Sequence, residues 1–188
     1  MKTNRFYIAL IAFLFIACDN NYTPKPRGFS RIDFPQKDLV ESSTHKNPFS
    51  FKHPSYCLLK YETSNSSWFD LKFVDFNGTL HMSYKQICKN LNKYTEECRD
   101  LAYKHAQKAE AITEQRFVND SLKVYGMVYT FEGTTATPLQ FYLSDSTSHF
   151  VRGALYFNTA LNDSIKPISN FIKDDVYQLI ESWQWKDL

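Results

Sequence analysis

The chain has 188 residues and a formal net charge of +2. That length suits one compact domain, and the charge lacks the basic excess that nucleic acid or an anionic membrane surface requires. Aromatics make up 16% of it, with 16 Phe and 12 Tyr, which excludes a mainly disordered state and favours a packed, β-rich core.

The amino terminus is a short positive segment, Met1-Lys2-Thr3-Asn4-Arg5. Phe6 to Ala17 follows without a charge. About 12 residues fit the core of a signal peptide and fall short of the roughly 20 that span a bilayer. The run ends Leu14-Phe15-Ile16-Ala17-Cys18. A small residue before a cysteine resembles the bacterial lipobox, with Phe15 where leucine is usual. The expectation is a signal peptide over 1–17, cleavage before Cys18, and lipid on that cysteine. Several buried acyl chains, at ~0.8 kcal/mol per CH₂, make a permanent anchor. Cleavage removes Lys2 and Arg5 and no acid, so the mature charge falls from +2 to zero. Residues 18–31, with Pro24, Pro26 and Gly28, read as an extended tether. Residues 32–188 read as a single globular domain.

Within that domain, Phe49–Phe51 and Tyr56–Tyr61 read as strands, with Lys37–Asn47 before them as a loop. Trp68 to Phe73 alternates with period two, placing Phe69, Leu71 and Phe73 on one face and Asp70 and Lys72 on the other. Asn77-Gly78 suits a two-residue type I′ turn. That register sets Phe73 opposite Met82 and Leu71 opposite Tyr84. From Tyr84 to Asn119, Ile87, Leu91, Tyr94, Cys98, Leu101, His105, Ala109 and Ile112 recur at steps of three and four. This spacing predicts an amphipathic helical region. Val124–Phe131, Pro138–Leu143 and His149–Phe157 read as strands, and Ile168–Trp183 as a final amphipathic helix. The fold class is α+β: an antiparallel sheet with a long amphipathic helix and a C-terminal helix packed on it. In element order it resembles the PsbP-like sandwich.

Cys57, Cys88 and Cys98 remain in the mature chain, so at least one thiol is unpaired. On one unbroken helix Cys88 and Cys98 would lie ~15 Å apart along the axis. A break at Asn90-Leu91-Asn92 would permit a Cys88–Cys98 disulfide; otherwise the thiols act as small hydrophobes.

No catalytic constellation stands out. Asp145-Ser146-Thr147-Ser148-His149 has the residue types of a serine triad, but triads meet through the fold rather than within five residues. Aspartate and serine are ordinary turn formers. Metal ligation through Asp145 and His149 is an alternative. His105, on the helix stripe, reads as a buried, hydrogen-bonded histidine. Arg152 lies in a strand-like run beside Gly153, as an outer-face cation or in an internal ion pair with Asp145 or Glu132. No Gly-rich phosphate loop and no zinc spacing is present. The residues point away from an enzyme, a metal and a cofactor.

Several stretches together resemble the gliding-motility lipoprotein GldD family of the Bacteroidota. They are Tyr22-Thr23-Pro24-Lys25-Pro26-Arg27-Gly28-Phe29, Asn90-Leu91, Leu101-Ala102-Tyr103-Lys104-His105 with Lys108-Ala109, and Asp163-Ser164-Ile165-Lys166-Pro167. The most specific runs from Gln140-Phe141 through Asp145-Ser146 to His149-Phe150-Val151-Arg152-Gly153-Ala154-Leu155-Tyr156-Phe157. The resemblance implies a non-enzymatic envelope lipoprotein required for assembly or stability of the gliding motility and type IX secretion machinery. Its partners would be other envelope proteins of that machinery. Gln140, Asp145, His149 and Arg152 become candidates for a partner-binding or structural site. The lack of an acidic run after Cys18 favours a domain facing the periplasm. The competing reading is a small-ligand or cell-wall-binding module, for which an aromatic-rich sheet offers a cavity.

Overall fold

A computed structural model describes residue 28 and residues 31–42, 47–63, 67–106, 109–159 and 161–186. Cys18, the signal segment and most of the tether lie outside the described residues, as does the side chain of His105. The chain divides into two units, residues 1–33 and 34–188. In the first, Arg31 and Asp33 form an exposed ion pair at 2.9 Å.

The second unit is built on a seven-stranded sheet in the order β4-β5-β6-β10-β9-β8-β7. The strands are β4 (Leu58–Tyr61), β5 (Trp68–Phe73), β6 (Gly78–Gln86), β7 (Ala111–Asn119), β8 (Val124–Glu132), β9 (Leu139–Ser144) and β10 (His149–Phe157). All neighbours are antiparallel. Two short pairs flank it: β1 (Leu39–Glu41) with β3 (Lys52–Pro54), and β2 (Phe49–Ser50) with β11 (Gln184–Trp185). One helix lies against each face, α1 (Leu91–Ala106) and α2 (Lys166–Glu181). No described helix is long and apolar enough to cross a membrane.

Alternation assigns the two faces. Phe69, Leu71, Phe73, Leu80, Met82, Val128, Phe141, Leu143, Val151 and Leu155 turn to the α2 side. There they meet Ile172, Val176, Leu179 and Ile180, spaced as one helical stripe. Pro167 sits in the first turn of α2, where its missing N–H costs nothing. Trp183, fully buried, closes this core by stacking on Phe51 at 5.1 Å and Phe49 at 4.8 Å. On the opposite face, Leu91, Tyr94 and Cys98 of α1 pack with Ile87, Tyr142 and Phe150. Ala102 meets Tyr129 and Phe131. The buried stripe of α1 therefore lies over β8, β9 and β10.

Lys37 bridges from the segment before β1 to α2. Its Nζ lies 2.9 Å from Asp175 Oδ1, donates to the Phe171 carbonyl at 3.3 Å, and sits 4.4 Å above the Phe171 ring. Asp175 is buried and accepts a hydrogen bond from the Tyr56 hydroxyl. Phe34 stacks on Phe171 at 4.3 Å.

Besides the short strand β1, which lies inside the expected Lys37–Asn47 loop and pairs with β3, three expectations require correction. The helical region of 84–119 is a single 16-residue helix between two strands. Tyr84 to Gln86 ends β6, while Lys89 at φ 56° and Asn90, whose Oδ1 accepts from Cys88 N, turn the chain into α1. Residues 111–119 form β7 instead, because their alternation pairs with β8 from Ala111↔Glu132 to Asn119↔Val124. On α1 the buried position is Ala102, and Leu101 is exposed. In the β5–β6 hairpin, Val74–Phe76 form a 3₁₀ turn and only Asn77 takes the left-handed conformation, at φ 51°. Phe73 thus pairs with Gly78, and Leu71 with Leu80. The displacement is an even number of residues, so every side chain keeps its face.

The third correction concerns the disulfide. Cys57, Cys88 and Cys98 are free thiols. Cys88 is exposed in the turn before α1, whereas Cys98 points from the helix into the cluster with Ile87 and Phe150. Burial pushes the Cys98 thiol up to about 11, and burial, aided by the nearby Asp175 charge, pushes Cys57 up to about 12.

Candidate functional site

The face that carries α1 continues over β4, β5, β6 and β10 as a row-by-row array fixed by register. One row runs Trp68, Ser83, Arg152, Tyr142. The next runs Lys60, Asp70, His81, Ala154, Gln140. A third holds Leu58, Lys72, Thr79 and Tyr156. These residues share one face because each lies an even number of positions from its strand neighbours.

A half-open cavity of about 570 Å³ sits over this array, lined by Lys60, Glu62, Trp68, Asp70, Lys72, His81 and Arg152 among others. Trp68 is 59% exposed and Leu58 is also exposed. Within the cavity His81 Nδ1 lies 2.7 Å from Asp70 Oδ1. Arg152 Nη2 donates to Gln140 Oε1 at 2.8 Å. Of the two readings of Arg152, the internal ion pair with Asp145 or Glu132 is not formed; Arg152 lies on the outer face and meets a neutral amide. Its half-buried guanidinium keeps its charge uncompensated by that contact.

Of the four sequence candidates, the fold joins Gln140 and Arg152 and separates the other two. Asp145 is buried in the turn between β9 and β10. Its Oδ1 accepts from the backbone N–H groups of Thr147, Ser148 and His149 at 3.0, 2.9 and 2.8 Å, and its Oδ2 from the Thr147 hydroxyl at 2.7 Å. Burial pushes its carboxyl upward, but these donors outweigh burial and hold it below the ordinary value. The turn also places Ser146 at φ 70°. His149 points to the α2 side, hydrogen-bonded to the Tyr84 hydroxyl at 2.8 Å and stacked on Trp185 at 5.3 Å. Asp145 and His149 are therefore joined through the turn backbone, with their side chains serving different surroundings. Among the described residues no group of three or more His, Cys, Asp or Glu is placed to hold a metal ion.

The array offers the cations Lys60, Lys72 and Arg152, one histidine–carboxylate pair and an exposed indole. Lys60, Trp68 and His81 were not singled out from sequence. The available signal was the outward phase of Asp70 and Lys72 on β5; their neighbours follow only once β4, β6 and β10 are paired.

No curated protein matches the chain. Among solved structures, the solution structure of cyanobacterial PsbP (CyanoP) from Synechocystis sp. PCC 6803 is similar over 83% of this chain and 97% of its own, with a TM-score of 0.51 and 11% identity. That likeness establishes the PsbP-like α+β fold expected from element order. The family described as gliding motility lipoprotein GldD matches residues 19–185, nearly the whole chain, and the protein belongs to that family.

Proposed function

We propose that this protein is a lipid-anchored, non-enzymatic envelope component that acts in assembly or stability of the gliding motility and type IX secretion machinery by holding partner proteins. The observation that carries the reading is the family match along residues 19–185. The lipobox-like Ala17-Cys18 supports attachment at Cys18, with the folded domain facing the periplasm. The open array around Trp68 and Arg152 supports a binding role, since indole and guanidinium are the side chains most enriched at energetic centres of interfaces.

The test is deletion with complementation. The deletion strain should fail to secrete type IX cargo, and the wild-type gene should restore secretion; normal secretion in the deletion strain refutes the function. Palmitate labelling should be lost in Cys18→Ala, and labelling that persists refutes the anchor. A second reading, a module for a small ligand or for cell-wall fragments, is favoured by the cavity's size, which lies within the usual 300–1,000 Å³ of ligand sites.

A further inference from the structure

We propose that the cavity over β4, β5, β6 and β10 is the docking site for an acidic segment of a partner protein, one carrying at least two separated carboxylates beside an apolar side chain. The assignment rests on the partner-binding reading above and names the chemistry of the partner.

The lining holds the cations Lys60, Lys72 and Arg152 against the carboxylates Asp70 and Glu62. Asp70 is already turned to His81 at 2.7 Å, and Arg152 donates to the neutral Gln140 at 2.8 Å. The site is therefore net positive, on a chain whose mature charge is zero. A local excess of one sign on a neutral protein is a directional cue, because it steers and orients a complementary partner.

Spacing sets the ligand's size. Lys60 on β4 and Arg152 on β10 stand three strands apart in the sheet order and one row offset. At about 4.8 Å per strand their Cα atoms are separated by roughly 15 Å. A single carboxylate is too small to meet both ends. Two acidic side chains on an extended peptide reach that span when about four residues apart, at ~3.3 Å per residue. The cavity is half open rather than closed over a small molecule, which leaves room for a chain to lie across it. Trp68 and Leu58, both exposed, stand beside the cationic positions and supply the apolar contact. Arg152 adds specificity, since its planar donors take a carboxylate in two-point geometry.

The full lipidated protein in non-ionic detergent provides the test, because its tryptophans separate cleanly. Trp68 is 59% exposed, while Trp183 and Trp185 are 0% and 8% exposed, so acrylamide quenching reports on Trp68. The probes are an acetylated, amidated Glu-Leu-Glu-Leu-Glu-Leu peptide, its all-Gln counterpart, and chitotetraose. The glutamate peptide should protect Trp68 from quenching, with protection at least tenfold weaker for Gln or sugar. Lys60→Gln/Lys72→Gln and, separately, Arg152→Gln should each weaken the glutamate peptide at least fivefold. Lys60 is exposed and Lys72 half-buried, both on the sheet face away from the α2-side core, so the lysine result stands even if Arg152→Gln unfolds. Equal protection by the glutamine peptide, protection by the sugar alone, or unchanged affinity in the lysine variant overturns the assignment. If the deletion strain loses secretion while the glutamate peptide fails to bind, only this assignment falls. If the peptide binds while the deletion strain secretes normally, only the proposed function falls.

Discussion

Gly153 lies at the centre of β10, and the ring of Phe141 on β9 covers it. A Cβ at position 153 would meet Phe141 Cε1 at 2.3 Å and Cζ at 2.4 Å. Comfortable carbon–carbon separation is about 3.5 Å, so Gly153→Ala forces the ring back by about 1.2 Å. Phe141 is 1% exposed and has the α2-side core behind it. Overpacking of this kind costs about 1–3 kcal/mol, offset by about 0.5–1 kcal/mol because alanine is less costly to order than glycine. The expected net loss is about 1.5 kcal/mol, or a fall in Tm of about 3–6 °C for a domain of this size. Phe141→Leu removes the ring and leaves a gap, costing about 1 kcal/mol. Combined, the two substitutions relieve each other, and the double variant should be more stable than the sum of the single losses by about 1 kcal/mol. Thermal and urea unfolding of all four proteins, followed by near-ultraviolet circular dichroism, measures the cycle. A Gly153→Ala variant within 0.5 kcal/mol of wild type, or strict additivity in the double variant, refutes the close-packing argument.

Lys37→Met should cost about 3–5 kcal/mol, because it leaves the buried Asp175 carboxylate without its cation; a loss under 1 kcal/mol in denaturant titration contradicts that pairing. Iodoacetamide at pH 8 should alkylate Cys88 rapidly while Cys57 and Cys98 stay protected, since burial keeps both thiols protonated until pH approaches their raised values of about 12 and 11. Peptide mass spectrometry reads this directly, and rapid labelling of Cys98 in the native state argues against its packing. Asp145→Ala should cost about 1–3 kcal/mol by stranding three backbone donors in the β9–β10 turn. The folded-state carboxyl is held low, so its contribution is present above the unfolded value of about 3.9 and is lost as pH falls through the lower folded value. Wild type should accordingly lose stability below about pH 4 more steeply than Asp145→Ala, and parallel acid titrations of the two proteins count against this role.

Local signals reached far into this fold. A period-two run marked β5, β-like segments marked β8, β9 and β10, and the stripe from Phe171 to Trp183 marked α2. β7 escaped because Ala109 and Ile112 extend a helical spacing that ends in fact at Ala106. Its Glu114, Gln115 and Arg116 are exposed edge-strand residues, with no apolar alternation strong enough to outweigh it. The Asn77-Gly78 turn was recognisable, but the 3₁₀ turn at Val74–Phe76 takes up residues that a two-residue loop would have paired. At the candidate site, Arg152 and Gln140 were legible because both lie in one distinctive segment. Lys60, Trp68 and His81 join them through the β6–β10 pairing, which brings Ser83 beside Arg152 across a long stretch of chain. No local pattern encodes that meeting.

The pairing of β2 with β11 has a consequence for how the molecule comes into being. Ser50 lies opposite Gln184, and Phe49 opposite Trp185, so the second of the described strands is completed by the last. A chain emerging amino end first therefore holds Phe49 and Phe51 without their cover until Trp183 and Trp185 have followed. Its α2-side core closes late and at once, and whatever receives the emerging chain must shield those rings in the interval.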